Sequence, residues 1–115
     1  MKVRTFVLAL LVAALGLTFA SGALSKTQVT TITVTAKEFK FTLSKTSAPH
    51  GKVTFHVVNR GKLQHDFWIA GKKTPLISPG KSGNLTVTLS KGAHPYKCTV
   101  AGHAAAGMKG TFKAT

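Results

Sequence analysis

Residues 28–36 read QVTTITVTA, and from position 31 onward threonines alternate with apolar residues. Ile32, Val34 and Ala36 therefore fall on one face of the segment, while the threonines fall on the other. A period of two is typical of a β-strand with one buried face, and β-branched residues favour strands. The stretch thus predicts a strand that contributes one face to a hydrophobic core.

Similar alternation recurs along the rest of the chain. It extends over Phe39 to Leu43, Val53 to Val58, His65 to Ile69 and Leu85 to Leu89. Turn-forming residues separate these segments, in SKTSAPHGK, NRGK, AGKKTPLISPGKSGN and SKGAHP. Because short strands with frequent turns are typical of sandwiches, the sequence predicts an all-β fold, a Greek-key antiparallel β-sandwich.

The only cysteine of the chain lies in CTVAGHAAAGM, residues 98–108, together with a histidine and a methionine. Cys98, His103 and Met108 are spaced along this stretch without a charged residue between them. Taken alone, the cysteine would be interpreted as a small buried hydrophobe. Its two neighbours favour a metal site instead.

A fourth donor, His65, comes from a distant segment. Alternation places His65 on the same face as Phe67 and Ile69, so its ring should point inward and needs a polar partner. A hydrogen-bonded core histidine is the structural alternative.

Two imidazoles, a thiolate and a thioether form the donor set of a blue-copper electron-transfer site. The soft thiolate suits Cu(I), whereas imidazoles suit both Cu(I) and Cu(II). Zinc is the main competing ion, but structural zinc sites use cysteine and histidine without methionine. The sequence therefore predicts one copper ion held by His65, Cys98, His103 and Met108.

The start of the chain has the pattern of a secretory signal. Lys2 and Arg4 precede an apolar run from Phe6 to Phe19, and small residues follow at positions 20–23. A transmembrane anchor is the alternative, but the run is shorter than the roughly 20 apolar residues that a span needs. We expect residues 1–23 to be a signal peptide and residues 24–115 to be one domain, exported to the periplasm or outside the cell.

The charge of the chain is strongly one-sided. Without the signal, 14 basic residues remain against Glu38 and Asp66, which gives a formal charge of +12. Such a surface favours an anionic partner. Nucleic acid is disfavoured, because an exported protein rarely meets it and the lysines do not cluster with aromatic residues. We expect an acidic redox partner, a cytochrome or an oxidase, with an anionic membrane surface as the alternative.

Two segments resemble the cupredoxin family of type 1 blue-copper proteins, which has plastocyanin-like and azurin-like members. NRGKLQHDF, residues 59–67, is similar to the family pattern of an asparagine, a glycine and the first copper histidine. YKCTVAGHAAAGMKGTF, residues 96–112, resembles the C-terminal copper loop, with a spacing similar to that of auracyanin-like and rusticyanin-like members. The resemblance implies that His65, Cys98 and His103 lie close to the copper and that Met108 is axial.

The resemblance also implies that His103 lies at the surface, where a redox partner docks. Small residues at positions 101 and 104–107 would surround it, and Lys97 and Lys109 would form a basic rim. The chain departs from the family in having Asp66 where asparagine is common. Because a carboxylate can only accept hydrogen bonds, we predict that Asp66 accepts one from Thr99, beside Cys98. A second departure is Ala101, which stands where family loops often have proline.

Other residues are predicted to have no role at the metal. We expect His50, His56 and His94 to be exposed rather than to form a second metal site, and Trp68 to be partly exposed.

The sequence as a whole predicts an exported monomer that carries single electrons and is not an enzyme. Two acids and no serine nucleophile motif make a catalytic carboxylate pair or triad implausible. A periplasmic copper carrier or storage protein with the same ligands is the main alternative. A basic adhesion module without metal dependence is the third.

Overall fold

The computed structural model describes Gly16 and residues 29–115. The predicted signal peptide, residues 1–23, lies outside the described residues except for Gly16. Nine strands are present in the described part: β1 Thr30–Lys37, β2 Lys40–Leu43, β3 Ser47–Ala48, β4 Gly51–Asn59, β5 Trp68–Ile69, β6 Lys72–Lys73, β7 Ser82–Leu89, β8 Gly92–Lys97 and β9 Lys109–Ala114. No helix in this part is long and apolar enough to span a bilayer.

The strands form two sheets, and the predicted all-β sandwich is confirmed. Sheet 1 has the order β2-β1-β4-β7, and sheet 2 has the order β3-β9-β8-β5-β6. Each sheet contains one parallel pair, β1 with β4 and β3 with β9. The sheets are therefore mixed, whereas the sequence predicted purely antiparallel sheets. Alternation within a strand fixes which face is buried, but it does not fix the direction of the neighbouring strand.

The core lies between the two sheets and follows the predicted faces. The fully buried side chains of sheet 1 include the predicted inner faces of two strands: Ile32, Val34 and Ala36 of β1, and Val53, Phe55 and Val57 of β4. The ring of Phe67 packs against those of Phe41, Phe55 and Tyr96, with centroids 5.3, 5.0 and 5.4 Å apart. Burying each large apolar side chain contributes about 1.5–3 kcal/mol, so these contacts hold the sheets together.

Three strands lie where turns were predicted, namely β3, β6 and β8. The prediction for SKGAHP was wrong, because positions 92–95 belong to β8, which pairs with β9 from Gly92 to Lys97. The outward side chains of β8 include Ala93 and Pro95, which are poor strand formers, so the strand has little intrinsic signal. Pairing with β9 overrides that weak preference.

The predicted strand from His65 to Ile69 is shorter than expected. Only Trp68–Ile69 forms β5, whereas His65 makes an isolated bridge with Ile77 through two backbone hydrogen bonds of 3.2 and 2.7 Å. The predicted inward face is nevertheless correct, since His65, Phe67 and Ile69 are all fully buried.

Candidate metal centre

Three of the four predicted ligands meet beyond the ends of β4 and β8. The donor atoms of His65, Cys98 and His103 all lie within 4.8 Å of one another. The two Nδ1 atoms are 3.0 Å apart, and Cys98 Sγ lies 3.6 Å from His103 Nδ1 and 3.9 Å from His65 Nδ1. All three residues are buried. Both imidazoles thus turn the same nitrogen toward the thiol.

Asn59 holds the segment that presents His65. Its fully buried side chain donates from Nδ2 to the backbone oxygens of Leu63 and Ile77, both at 2.8 Å. Its Oδ1 accepts from the backbone N–H of Gly61 at 2.9 Å. These bonds connect the loop before His65 to Ile77, which forms the isolated bridge with His65. The backbone of the histidine is therefore held on both sides.

Backbone hydrogen bonds close the loop that carries the other predicted ligands. Cys98 N donates to Met108 O at 3.0 Å, and Met108 N donates to His103 O at 3.1 Å. Residues 101–107 form successive turns, and Gly107 has a φ of 125°, a conformation that favours glycine. The side chain of Met108 is fully buried. The loop therefore carries a thioether into the interior, between the same hydrogen-bonded residues that hold the thiol and the second imidazole.

Glu38, which lies between β1 and β2, is a site residue that the sequence analysis did not assign. Its Oε1 accepts hydrogen bonds from the backbone N–H groups of Leu63 at 2.6 Å and Lys62 at 2.7 Å. It also accepts from Nε2 of His65 at 3.1 Å. Since Nε2 of His65 carries the hydrogen of this bond, Nδ1 of the same ring presents a lone pair to Cys98 and His103.

These bonds also set the charge of Glu38. The backbone N–H of Leu63 is the largest cause, and together the hydrogen bonds lower the pKa of Glu38 from 4.5 to about 2. The carboxylate is therefore ionised at neutral pH. Because its folded pKa is depressed, its contribution to stability is present above about pH 4.5 and is lost as the pH falls toward 2.

Asp66 makes the contact that was predicted for it. Its Oδ1 accepts from the backbone N–H of Thr99 at 2.6 Å, and its Oδ2 accepts a short hydrogen bond from the Thr99 hydroxyl. Asp66 follows His65 in the chain, and Thr99 follows Cys98, so the contact links two of the predicted ligands. Both acidic side chains of the chain, Glu38 and Asp66, thus lie at this centre.

Burial, the largest cause, raises the pKa of the Cys98 thiol. In the metal-free protein the thiol is therefore protonated at neutral pH. A metal ion that binds Cys98 must displace this proton, so binding becomes tighter as the pH rises.

The donor set fits copper. Two imidazole nitrogens and one thiol sulfur converge on a buried point, and a buried thioether lies in the same loop. A trigonal set of this composition with a weak thioether is diagnostic of blue copper, whereas structural zinc takes four cysteine or histidine ligands.

The surface around His103 is apolar and made largely of small residues. His103 itself is 8% exposed, less than predicted, while residues 101, 102 and 105–107 are exposed. Phe39 was not predicted here, yet it is 40% exposed and packs edge-on against His103 with centroids 5.1 Å apart. Leu63, two residues before His65, is also exposed.

The remaining histidines each make a separate hydrogen bond. His50 bonds the backbone oxygen of Thr115, His56 bonds Asn84 and His94 bonds the backbone oxygen of Ser90. His50 is exposed as predicted, but His56 and His94 are half-buried. Within residues 29–115, His65, Cys98 and His103 form the one group of three such donors.

A family model described as a cupredoxin-like domain matches residues 7–111. No curated protein sequence matches the chain.

Among solved structures, the chain is similar to dithionite-reduced auracyanin from the photosynthetic bacterium Roseiflexus castenholzii, with 22% identity over 75% of this chain and 97% of that one and a TM-score of 0.66. Auracyanin B has 25% identity over 75% and 88%, with a TM-score of 0.64. Auracyanin A, a "blue" copper protein from the green thermophilic bacterium Chloroflexus aurantiacus, has 21% identity over 76% and 100%, with a TM-score of 0.64. These likenesses support the fold.

Proposed function

This chain belongs to the cupredoxin-like domain family, and from that premise we propose that it is an exported blue-copper protein that carries single electrons. The observation that carries the proposal is the buried convergence of His65, Cys98 and His103 donor atoms within 4.8 Å. The similarity to auracyanin A, which is described as a blue copper protein, supports the same conclusion.

In the proposed site, Nδ1 of His65, Nδ1 of His103 and Sγ of Cys98 would hold the copper, and the thioether of Met108 would be a fourth, weaker donor. Copper in such a set supplies a one-electron couple between Cu(I) and Cu(II), and the same donors suit both oxidation states. No bond of a substrate is made or broken, so the protein is proposed to be an electron carrier and not an enzyme.

The task of the polypeptide is to keep the donors in place. Glu38 fixes the tautomer and orientation of His65, and Asp66 anchors the backbone that follows Cys98. Losing a group that orients a ligand in this way typically costs about 10- to 100-fold in metal affinity or activity. Because hydrogen bonds of the folded chain hold these residues, the site needs little rearrangement when the electron arrives or leaves.

The remaining parts of the proposal concern where the protein works and what it meets. We propose that residues 1–23 are a signal peptide and that 24–115 is the exported domain, a monomer in the periplasm or outside the cell. An acidic redox partner, a cytochrome or an oxidase, would dock on the apolar surface at His103, steered by the basic charge around it.

A copper carrier or storage protein is the main alternative. The burial of Cys98 and His65, which are 1% and 0% exposed, disfavours it, because transfer of the ion requires access for the ligands of a recipient.

One experiment tests this proposal against both alternatives. Residues 24–115 are loaded with Cu(II), and visible spectra are recorded before and after ascorbate and after reoxidation. We expect an intense thiolate-to-copper band at about 600 nm that bleaches on reduction and returns on reoxidation. A copper chelator added to the oxidised or to the reduced protein should not remove the metal within the time that one cycle of reduction and reoxidation takes. Release of copper from one oxidation state would favour a copper carrier. Copper binding without colour would favour a storage protein, and absence of copper binding would favour a basic adhesion module.

A Glu38→Gln variant should raise the reduction potential of the copper-loaded protein by a few tens of millivolts. Glutamine keeps an oxygen that can accept from Nε2 of His65, but it removes a negative charge that stabilises Cu(II) more than Cu(I). Cyclic voltammetry measures the change, and the visible band should stay close to its wild-type position. His56→Gln, at a histidine away from the centre, is the control and should leave the potential unchanged. An equal shift in both variants would contradict a specific role for Glu38.

A further inference from the structure

Four residues of sheet 2 lie in one line across four strands. Lys109 of β9 pairs with Lys97 of β8, Lys97 pairs with Trp68 of β5, and Trp68 pairs with Lys73 of β6. Residues that are directly opposite in neighbouring strands share a face, so these side chains stand together on the outer face of the sheet. The three lysines are exposed and Trp68 is half-buried. With strands about 4.8 Å apart, this Lys-Trp row is about 14 Å long.

The Lys-Trp row is electrostatically unfavourable in the isolated protein. Lys97 and Lys109 are directly opposite each other, and like charges in that arrangement destabilise a sheet. The Nζ of Lys97 lies 5.1 Å from the centre of the Trp68 ring, a cation–π contact that offsets part of the cost. No acidic side chain can compensate, because the two in the chain are both bound at the metal centre. The positive charge of the row is therefore open to an external anion.

The Lys-Trp row is directly connected to the proposed copper site. Lys97 precedes Cys98 in the chain, and Lys109 follows Met108. A shallow pocket beside the row is lined by both lysines and by Ala104, the neighbour of His103. The row is thus continuous with the small-residue surface around His103, and two of its lysines are chain neighbours of proposed ligands.

We propose that the Lys-Trp row is the docking surface for an acidic patch on the protein that exchanges electrons with this one. This inference rests on the proposed function, which already makes the partner acidic, and adds to it the residues beside the His103 surface that receive the acidic patch. Three lysines in line match a short run of carboxylates, and a half-exposed tryptophan is a residue type enriched at the centre of protein interfaces. A lipid surface is less suited, since it would meet a broad face rather than a line of three charges.

The position of Trp68 provides the readout. It is the only tryptophan of the chain, so tryptophan fluorescence reports the surroundings of the row. Cu(I)-loaded protein, residues 24–115, is titrated at low ionic strength with poly-L-glutamate as the acidic probe. We expect a saturable change in emission that weakens with added salt. The K97Q/K109Q variant should bind the probe about five- to tenfold more weakly.

A matched control separates the Lys-Trp row from overall charge. Lys52 at the start of β4 and Lys91 between β7 and β8 are exposed and lie away from the row. The K52Q/K91Q variant therefore removes the same charge elsewhere and should weaken binding by less than about twofold. Equal weakening in the two variants would overturn the proposal, because binding would then follow net charge alone.

Two further measurements complete the test. Vesicles with about one-third anionic phospholipid should change Trp68 emission only at a higher concentration of negative charge than poly-L-glutamate requires. If the vesicles act at the lower concentration, the proposal is overturned in favour of a membrane surface. Visible spectra of the Cu(II)-loaded samples show whether the copper site is intact. A wild-type protein without the blue band would refute the proposed function, whereas a normal band with unselective binding would refute the docking surface alone.

Discussion

Replacing Cys98 with serine should abolish the intense visible absorption of the copper-loaded protein and weaken Cu(I) binding more than about 100-fold. The absorption depends on a thiolate bonded to copper, and a serine hydroxyl is neither soft nor ionised at neutral pH. Losing a group that merely orients a ligand already costs about 10- to 100-fold in metal affinity, so losing the thiolate itself should cost more. Absorption spectroscopy and competition with a Cu(I) chelator measure the two effects.

The fold of this variant should persist. Serine is slightly smaller than cysteine and the two Nδ1 atoms can still bond each other, so thermal unfolding of the metal-free variant should stay close to wild type. Thr99→Ser, at the next residue, is the matched control and keeps a hydroxyl beside Asp66. It should keep the blue band. A Cys98→Ser protein that remains blue would show that Cys98 is not a copper ligand.

An Asn59→Ala variant should lower the free energy of unfolding by about 2–4 kcal/mol. The substitution removes three hydrogen bonds. It leaves the backbone oxygen of Leu63 and the backbone N–H of Gly61 without the partner that Asn59 provides, while Ile77 O keeps only its bond from His65 N. Urea denaturation of the metal-free protein measures the loss, with an unchanged dependence on denaturant. Because the same bonds fix His65 from both sides, the copper-loaded variant should also have a broadened or shifted visible band.

Asn84→Ala provides the comparison for that loss. Asn84 is exposed and makes one side-chain bond, to His56, so its replacement should change stability by no more than about 0.5 kcal/mol. If the two alanine variants unfold at the same urea concentration, the anchoring role of Asn59 is refuted.

The sequence predicted the parts of the structure that local pattern determines. Alternation identified the buried faces of β1 and β4, and it placed His65 inward although most of its predicted strand is irregular. The spacing of Cys98, His103 and Met108 marked the loop, and the acceptor-only chemistry of Asp66 led to its bond with Thr99. That these residues bind copper stays a prediction for the spectra to test.

Long-range contacts explain what the sequence did not reveal. Glu38 contacts residues 24 to 27 positions away, and no local pattern links it to them. The one signal for Glu38 in the sequence was the small number of acidic residues. In a chain with 16 basic residues and two acidic ones, each acidic residue is a candidate for a specific role. The strand β8 was missed because neighbouring strands, rather than its own residues, stabilise it. Phe39 was assigned to a strand, but its contact with His103 depends on how two loops meet.

The parallel pair of β3 with β9 has a consequence for the order in which the molecule assembles. It joins Ser47–Ala48 to the last residues of β9, so one side of sheet 2 closes only after nearly the whole described chain has emerged. Contacts between such distant residues form late, because closing a long loop costs entropy before any contact repays it. The loop of Cys98 lies between β8 and β9 and gains its shape with them. A newly synthesised chain therefore passes through a period in which its thiol is exposed to oxidants, and the rate of folding determines how long that period lasts.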